Sequence, residues 1–304
     1  MKTFDRFMVL ALLLGSSWWL GLRPASAQEE AQAEEKPVEE KKAEPVFLDK
    51  NLEKAVRKFV FAKRDNEEPL VEEDVLTLST IKGEKMGIKD LTGLEKCRAL
   101  ASLELAGNEI SDAGPLKELT EIQLLDLAEN QIEDLHPLAG IKAIQFLDVS
   151  KNRVKSLEPL RALERLTSFY ASENQVEDLS PLFGLPRVTS LHAQNNRITG
   201  IAGINSLKRL SSLGLSGNQI EDLAPLQGLT NLTGFLFLEN NRVSDLGPLL
   251  EMCRTDLEGD KRFAPYVNIY LSGNPLDSES SQDQLRQMKE LGLRLREREG
   301  ASDS

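Results

Sequence analysis

LLDLAENQIEDLHPLAGIKAIQFLDVSKNRVKSLEPL, residues 124–160, contains one frame twice. Leu125 and Leu127 bracket Asp126 and lead to Asn130; 22 residues on, Leu147 and Val149 bracket Asp148 and lead to Asn152. Ile132 and Val154 follow each Asn by two residues, and Asp134-Leu135-His136-Pro137-Leu138 is answered by Ser156-Leu157-Glu158-Pro159-Leu160. The frame extends both ways. Asn108, Asn130, Asn152, Asn174, Asn196 and Asn218 stand at successive intervals of 22, Asn241 follows after 23 and Asn274 after 33.

Chemistry accounts for the frame. Alternating apolar residues around one polar position make a short strand with one buried face. The Asn amide both donates and accepts, so it can serve backbone groups where the chain turns, forming a structural ladder from coil to coil. The Pro-Leu segment returns by a path without strand pairing, since Pro lacks the N–H. One coil buries too few side chains to offset the entropy of ordering its residues, so coils must stack. The expected fold is a curved solenoid with a parallel sheet on its concave side.

Composition narrows the function. Lys+Arg 37 against Asp+Glu 49 leaves a net charge of −12, which argues against a nucleic-acid partner. Two His and two Cys leave little material for acid–base or metal chemistry, and no Gly-rich phosphate loop appears. The reading is a non-enzyme with no cofactor and no metal. Cys97 occupies the apolar column of Leu119, Ile141, Leu163, Leu185, Leu207 and Leu229 and reads as a buried small hydrophobe. Cys253 lies about seven coils away, roughly 34 Å at a strand spacing of ~4.8 Å, too far for a disulfide within the chain; an intermolecular bond through Cys253 stays open. Asp112, Asp134, Asp178, Asp222 and Asp245 form a second ladder, read as turn capping in preference to a calcium array.

The repeat resembles that of bacterial leucine-rich-repeat proteins of the internalin type, which read LxxLxxLxLxxNxIxDLxPL; the likeness covers about residues 88–276. It implies an α/β-repeat, right-handed solenoid with a curved parallel sheet on the concave face, short 3-10 or irregular convex segments and helical caps at both ends. It also implies recognition of a protein partner through the concave sheet. No LPxTG signal or immunoglobulin-like domain accompanies the repeats, so host-cell invasion is not carried over.

Around the repeats the chain divides into five parts. Residues 1–27, with Lys2 and Arg6 before an apolar run and Ala25-Ser26-Ala27 at its end, read as a secretory signal, either cleaved or kept as an anchor. Residues 28–45 are Glu-rich and read as a disordered acidic tether. Residues 46–93 hold an N-terminal helical cap, with Leu52, Val56, Phe59 and Val60 at helical spacing from Asp49 to about Lys63, and a degenerate coil with Leu76 and Leu78 as its strand. The repeats occupy 94–276. Residues 277–304 form a C-terminal cap helix with Leu285, Met288 and Leu291 inward, then a tail in which Leu293 and Leu295 add a last strand. With the signal removed no span crosses a membrane, and the protein is expected to be secreted or periplasmic.

The binding face follows from strand alternation. Glu104, Asp126, Asp148, Tyr170, His192, Gly214, Phe237 and Tyr270 point to the concave solvent, with Leu124, Phe146, Phe235 and Asn268 beside them. The groove is thus acidic at one end and aromatic at the other. The partner-binding set is Glu104, Asp126, Phe146, Asp148, Tyr170, His192, Phe235, Phe237 and Tyr270, although β-propensity also places aromatics on strands. At Phe235-Leu236-Phe237-Leu238 the period slips to 23, and the favoured register turns Leu236 and Leu238 inward. The insertion before Asn274, around Cys253 to Tyr266, reads as a loop beside the sheet edge. Two alternatives to a protein partner are a cell-wall glycan, stacked on the concave aromatics, and a purely structural role in the envelope. Cleavage after Ala27 removes Trp18 and Trp19, the only tryptophans. Intact-mass analysis of the mature protein should therefore place its N-terminus at Gln28, and its indole fluorescence should be absent.

Overall fold

A computed structural model describes residues 45–297. The expected signal segment, the tether up to residue 44 and residues 298–304 lie outside the described residues. Ten three-residue strands form one parallel sheet in chain order. They are β1 Thr80–Lys82, β2 Ser102–Glu104, β3 Leu124–Asp126, β4 Phe146–Asp148, β5 Ser168–Tyr170, β6 Ser190–His192, β7 Ser212–Gly214, β8 Phe235–Phe237, β9 Asn268–Tyr270 and β10 Arg294–Arg296. Pairing is in strict register, Leu125 opposite Leu103 and Leu147. The sheet lines the concave face of a right-handed solenoid, and 3-10 turns such as Gly114–Leu116 and His136–Leu138 cover the convex side.

Two ladders organise each coil. Asn130 Nδ2 donates to the carbonyls of Leu127 in its own coil and Leu105 in the one before, at 3.1 and 3.0 Å, while its Oδ1 accepts from the N–H of Ile110 at 3.0 Å. Asn152 and Asn174 repeat the geometry, and so do Asn196, Asn218, Asn241 and Asn274. Asn108 closes it against Gly83 and Ile88 of the first coil. The residue before the Asn is left-handed in every coil, among them Glu129 at φ 56°, Lys151 at φ 54° and Glu173 at φ 57°. Non-glycine residues hold that conformation only where their surroundings over-determine it, and the amide bridge does so here. In the second ladder, Asp112, Asp134, Asp178, Asp222 and Asp245 each accept the N–H two residues on, at 2.7–2.9 Å, opening the 3-10 or helical segment. Between the ladders the apolar columns fill one continuous core.

The caps close both ends, and here several expectations need correction. Helix α1 is Lys50–Arg57, shorter than the span to Lys63 that the apolar spacing suggests. It stops because Arg57 Nη1 turns onto the carbonyls of Lys63, Asn66 and Glu68, curling the chain into turns and leaving Phe61 exposed. Asp49 caps α1 with one oxygen and accepts from Lys89 and Asp90 N–H with the other, fastening the helix to the first coil. Burial opposes ionisation of this carboxyl, but the four N–H donors outweigh it and hold it below the usual carboxylate range.

The first strand is Thr80–Lys82, not Leu76/Leu78: helix α2, Glu72–Val75, precedes Leu76, which is exposed. Gly83 stands where later coils have an apolar side chain, Leu105 and Leu127 in the next two, and this obscures the frame. A Cβ there would lie 2.9 Å from Ala55 Cβ of α1, so the packed cap requires the glycine. The insertion is not a loop beside the sheet. It extends a convex turn into helix α3, Gly247–Glu258, which buries Cys253 and leaves that thiol unavailable for an intermolecular bond. Burial pushes the Cys97 and Cys253 thiols up to about 12. Helix α4, Glu279–Glu290, buries Met288 and half-buries Leu285, and β10 completes the cap.

Asn152→Ala strips donors or acceptors from Leu127, Val149 and Ile132 inside the core. It should lower unfolding stability by about 3 kcal/mol, read from urea titration, and Asn152→Asp should not restore it, because a carboxylate cannot donate.

Candidate functional site

The outward positions of the central strands bring their side chains onto one ribbon. Glu104, Asp126 and Asp148 follow one another in register on β2, β3 and β4, each half-buried. Asp126 accepts from Ala128 N–H at 3.0 Å and Asp148 from Ser150 N–H at 2.8 Å. Burial, with the charges of Asp148, Glu84 and Glu104 around it, raises the Asp126 pKa against the pull of the Ala128 bond. Glu104 is matched by Lys82 at 2.9 Å on β1, the only cation this end of the ribbon contributes among the described residues.

Beyond Asp148 the ribbon becomes aromatic. Ring centroids run Phe146–Tyr170 5.5 Å, Tyr170–His192 5.1 Å, His192–Phe237 6.2 Å and Phe237–Tyr270 4.7 Å, a single chain of contacts across β4 to β9. Phe235 stacks beside Phe237 at 5.4 Å and is 44% exposed. The β8 register leaves Leu236 and Leu238 fully buried and both phenylalanines outside; the extra residue is taken up just before the strand, where Gly234 N–H bonds Ser211.

Gly214 lies between His192 and Phe237 in this column, and its role is not evident from the repeat alone. A Cβ on it would come 2.5 Å from His192 Nδ1. Only glycine lets the imidazole lean across β7 toward Phe237. The flanking polar column was also missed. Gln194 Nε2 lies 3.3 Å from His192 Nδ1, Ser212 Oγ 3.1 Å from Nε2, and Ser172 donates to Gln194 at 2.7 Å. Ser172 and Gln194 belong to the 22-residue column three positions past the strand centre, and Ser212 to the column one position before it, so reading those columns coil by coil would find them.

Ser190 shares the strand with His192, yet the imidazole pairs with Ser212 one coil on. The Gln194 amide N–H directs the Nδ1 lone pair to itself, which places the proton on Nε2 as a donor to Ser212. A general base toward that hydroxyl would need the opposite arrangement. Burial holds the His192 pKa below its ordinary value, so the ring is neutral at pH 7 and joins its neighbours as an apolar plane. His136 sits exposed on the convex side, bonded to Asp134. No group of three or more His, Cys, Asp or Glu among the described residues is placed to hold a metal. A cavity of about 610 Å³ opens on the convex side under α3, lined by Thr230, Met252, Arg262 and Phe263; Asp256 at its wall is consumed by the N–H groups of Arg262, Phe263 and Ala264.

Comparison with known proteins agrees with this architecture. Residues 186–228 match the family of leucine-rich repeats (2 copies). The crystal structure of internalin C2 from Listeria monocytogenes is 28% identical, covers 75% of this chain and 95% of its own, and superposes with a TM-score of 0.66. A leucine-rich-repeat protein of Leptospira interrogans shares the fold at 18% identity and TM-score 0.56, covering 69% of this chain and 57% of its own. A plant peptide hormone receptor, solved in complex with RGF2, shares it at 20% identity and TM-score 0.51, over 60% of this chain and 30% of its own. No curated protein matches by sequence. Period, asparagine ladder, sheet topology and the compared structures converge on a leucine-rich-repeat solenoid similar to that of the internalins.

Proposed function

We propose that this protein is a non-catalytic, extracytoplasmic binding module that recognises a protein partner through its concave sheet. Leucine-rich repeats commonly serve protein–protein interaction, and internalin C2 is a relative of this fold. The observation that carries the reading is the unbroken run of five ring contacts beside three stacked acids, all on one ribbon. Aromatic side chains give large contact area at low entropic cost and dominate interface energetics. A strand face without a partner has no need of five such rings. The binding set is Glu104, Asp126, Asp148, Phe146, Tyr170, His192, Phe235, Phe237 and Tyr270, with Gly214 as the spacer that lets the rings meet.

Ring orientation disfavours a glycan platform. Tyr170 and His192 are 12° from parallel and Phe235 and Phe237 6°, so their faces turn toward one another along the ribbon. Faces engaged in this way are not free to stack on a sugar. No helix among the described residues is long and apolar enough to cross a membrane. The location outside the cytoplasm rests on the signal-like residues 1–27, and the five-part division of the chain stands with it.

Crosslinking in the extracytoplasmic fraction, followed by mass spectrometry, should yield one dominant polypeptide adduct. Tyr170→Ala with Phe237→Ala should reduce it at least about tenfold, on the scale of two interface anchors, while thermal stability changes little. Undiminished adduct from the double variant, or retention on purified peptidoglycan that the two substitutions abolish, would remove the concave face as a protein-binding site. His192 supplies a pH signature. Its depressed pKa means that its contribution to stability is complete above the ordinary imidazole value of ~6.5 and is lost as pH falls through the lower folded value. Melting curves of His192→Phe should therefore lose less stability than the parent between about pH 7 and pH 5.

A further inference from the structure

A second surface lies on the flank where the chain descends from the convex turns into the strands. Two residues after the Leu column of Leu119, Ile141 and Leu163, one surface position recurs every 22 residues: Ala99, Glu121, Ala143, Arg165, Arg187, Arg209, Asn231, of which Ala143 and Asn231 are half-buried and the rest exposed. Three arginines thus stand on consecutive coils, spanning ~10 Å at the strand spacing of ~4.8 Å. The file continues into Arg262, whose guanidinium donates to Asn231 Oδ1 at 3.1 Å. Lys142 and Lys208 border it and are exposed.

Several cations meet an acid or amide of an adjacent coil: Lys89 with Glu109 at 3.0 Å, Lys151 with Glu129 at 2.8 Å, Arg153 with Gln131 at 3.2 Å, Arg242 with Gln219 at 2.8 Å. Others, such as Lys117, Lys155 and Arg197, have no cation next to them in their columns, whereas the three arginines are stacked in one. Arg165, Arg187 and Arg209 make no side-chain hydrogen bond or ion pair with any described residue, and neither does the neighbouring Glu164. Like charges stacked on adjacent strands repel. In a chain of net charge −12 such a stack does not follow from composition. Guanidinium groups in a row at this pitch are suited to taking oxyanions bidentately, one after another.

We propose that the Arg165–Arg187–Arg209 file is a docking site for an acidic segment of a partner polypeptide, whose carboxylates the three guanidinium groups take in turn. The file is one side chain wide. A thin chain can follow it while remaining outside the wider negative field of the protein, whereas an anionic membrane would meet that field across its whole contact area. None of the large exposed hydrophobics, Leu48, Phe61, Leu76, Phe235 and Tyr266, lies on the file to enter a bilayer. It carries no ring on which nucleic-acid bases could stack. This site is separate from the concave ribbon and stands whether or not that ribbon binds protein.

The test uses the full chain and a fluorescent octapeptide of alternating Glu and Thr, with Gln replacing Glu in a control peptide, followed by anisotropy at low salt. The Glu peptide should bind and the Gln peptide should not. R165Q/R187Q/R209Q should weaken binding roughly tenfold or more, whereas K89Q/K151Q/R242Q, which removes the same charge from paired sites, should change it less than about twofold. Melting temperature of the first variant should equal or exceed that of the parent, because a repulsive stack has been relieved. Equal loss in both variants, no preference for the Glu peptide, or a lowered melting temperature in the first variant would each overturn the proposal. So would tighter binding of phosphatidylglycerol vesicles or dextran sulfate through the same arginines.

Discussion

A side-chain amide enclosed in the wall of each coil is the interaction on which this molecule depends. The strand ends by turning through a left-handed residue, and the turn leaves backbone N–H and C=O groups facing the interior. Those groups cannot reach water, and leaving them unpaired would cost a good part of the stability of a protein this size. The asparagine amide answers both kinds at once, and it answers them in two coils. Asn130 binds carbonyls of Leu127 and Leu105 and the N–H of Ile110. Each coil therefore completes its predecessor, and the period of the sequence becomes the pitch of the solid.

A common pitch has consequences for surfaces. Any position of the repeat becomes a straight file of side chains ~4.8 Å apart. Where the file is a strand face and its members are rings, they touch, as Phe146, Tyr170, His192, Phe237 and Tyr270 do. Where members alternate in sign, they form ion pairs between coils, as at Glu129 and Lys151. Where they share a sign, as in Glu104, Asp126, Asp148 and in Arg165, Arg187, Arg209, the stack is held together against its own repulsion by the core beneath it. Both kinds of like-charged file are surfaces that an oppositely charged partner would relieve.

Legibility in the sequence varied with how directly a residue's role depends on its own coil. The strand frame, the asparagine column and the outward position of Asp126 or Tyr170 follow from alternation and period, and the sheet pairs them in that register. The β8 register was readable because Val243 and Asn241 count back to Leu238 and Leu236, which are fully buried. The first strand was hidden because Gly83 replaces the apolar side chain of that column, and the need for that glycine comes from Ala55 on a helix distant in sequence. The insertion around Cys253 carries helical spacing as well as loop length, and its packing as α3 depends on contacts with α4 and the 3-10 turn Ala224–Leu226.

Period and alternation are local properties that a one-dimensional solid preserves, so they suffice to establish that this chain is a stack, which residues face inward and which line up on the concave side. What those side chains do to one another emerges from the folded coils. The structure shows that Gly214 opens the space through which His192 meets Phe237, that Gln194 and Ser212 orient the imidazole, and that three stacked arginines are left without partners while Lys89 and Lys151 are matched between coils. These depend on distances between neighbouring coils and on side-chain directions, which the repeat constrains only to a column and leaves otherwise free.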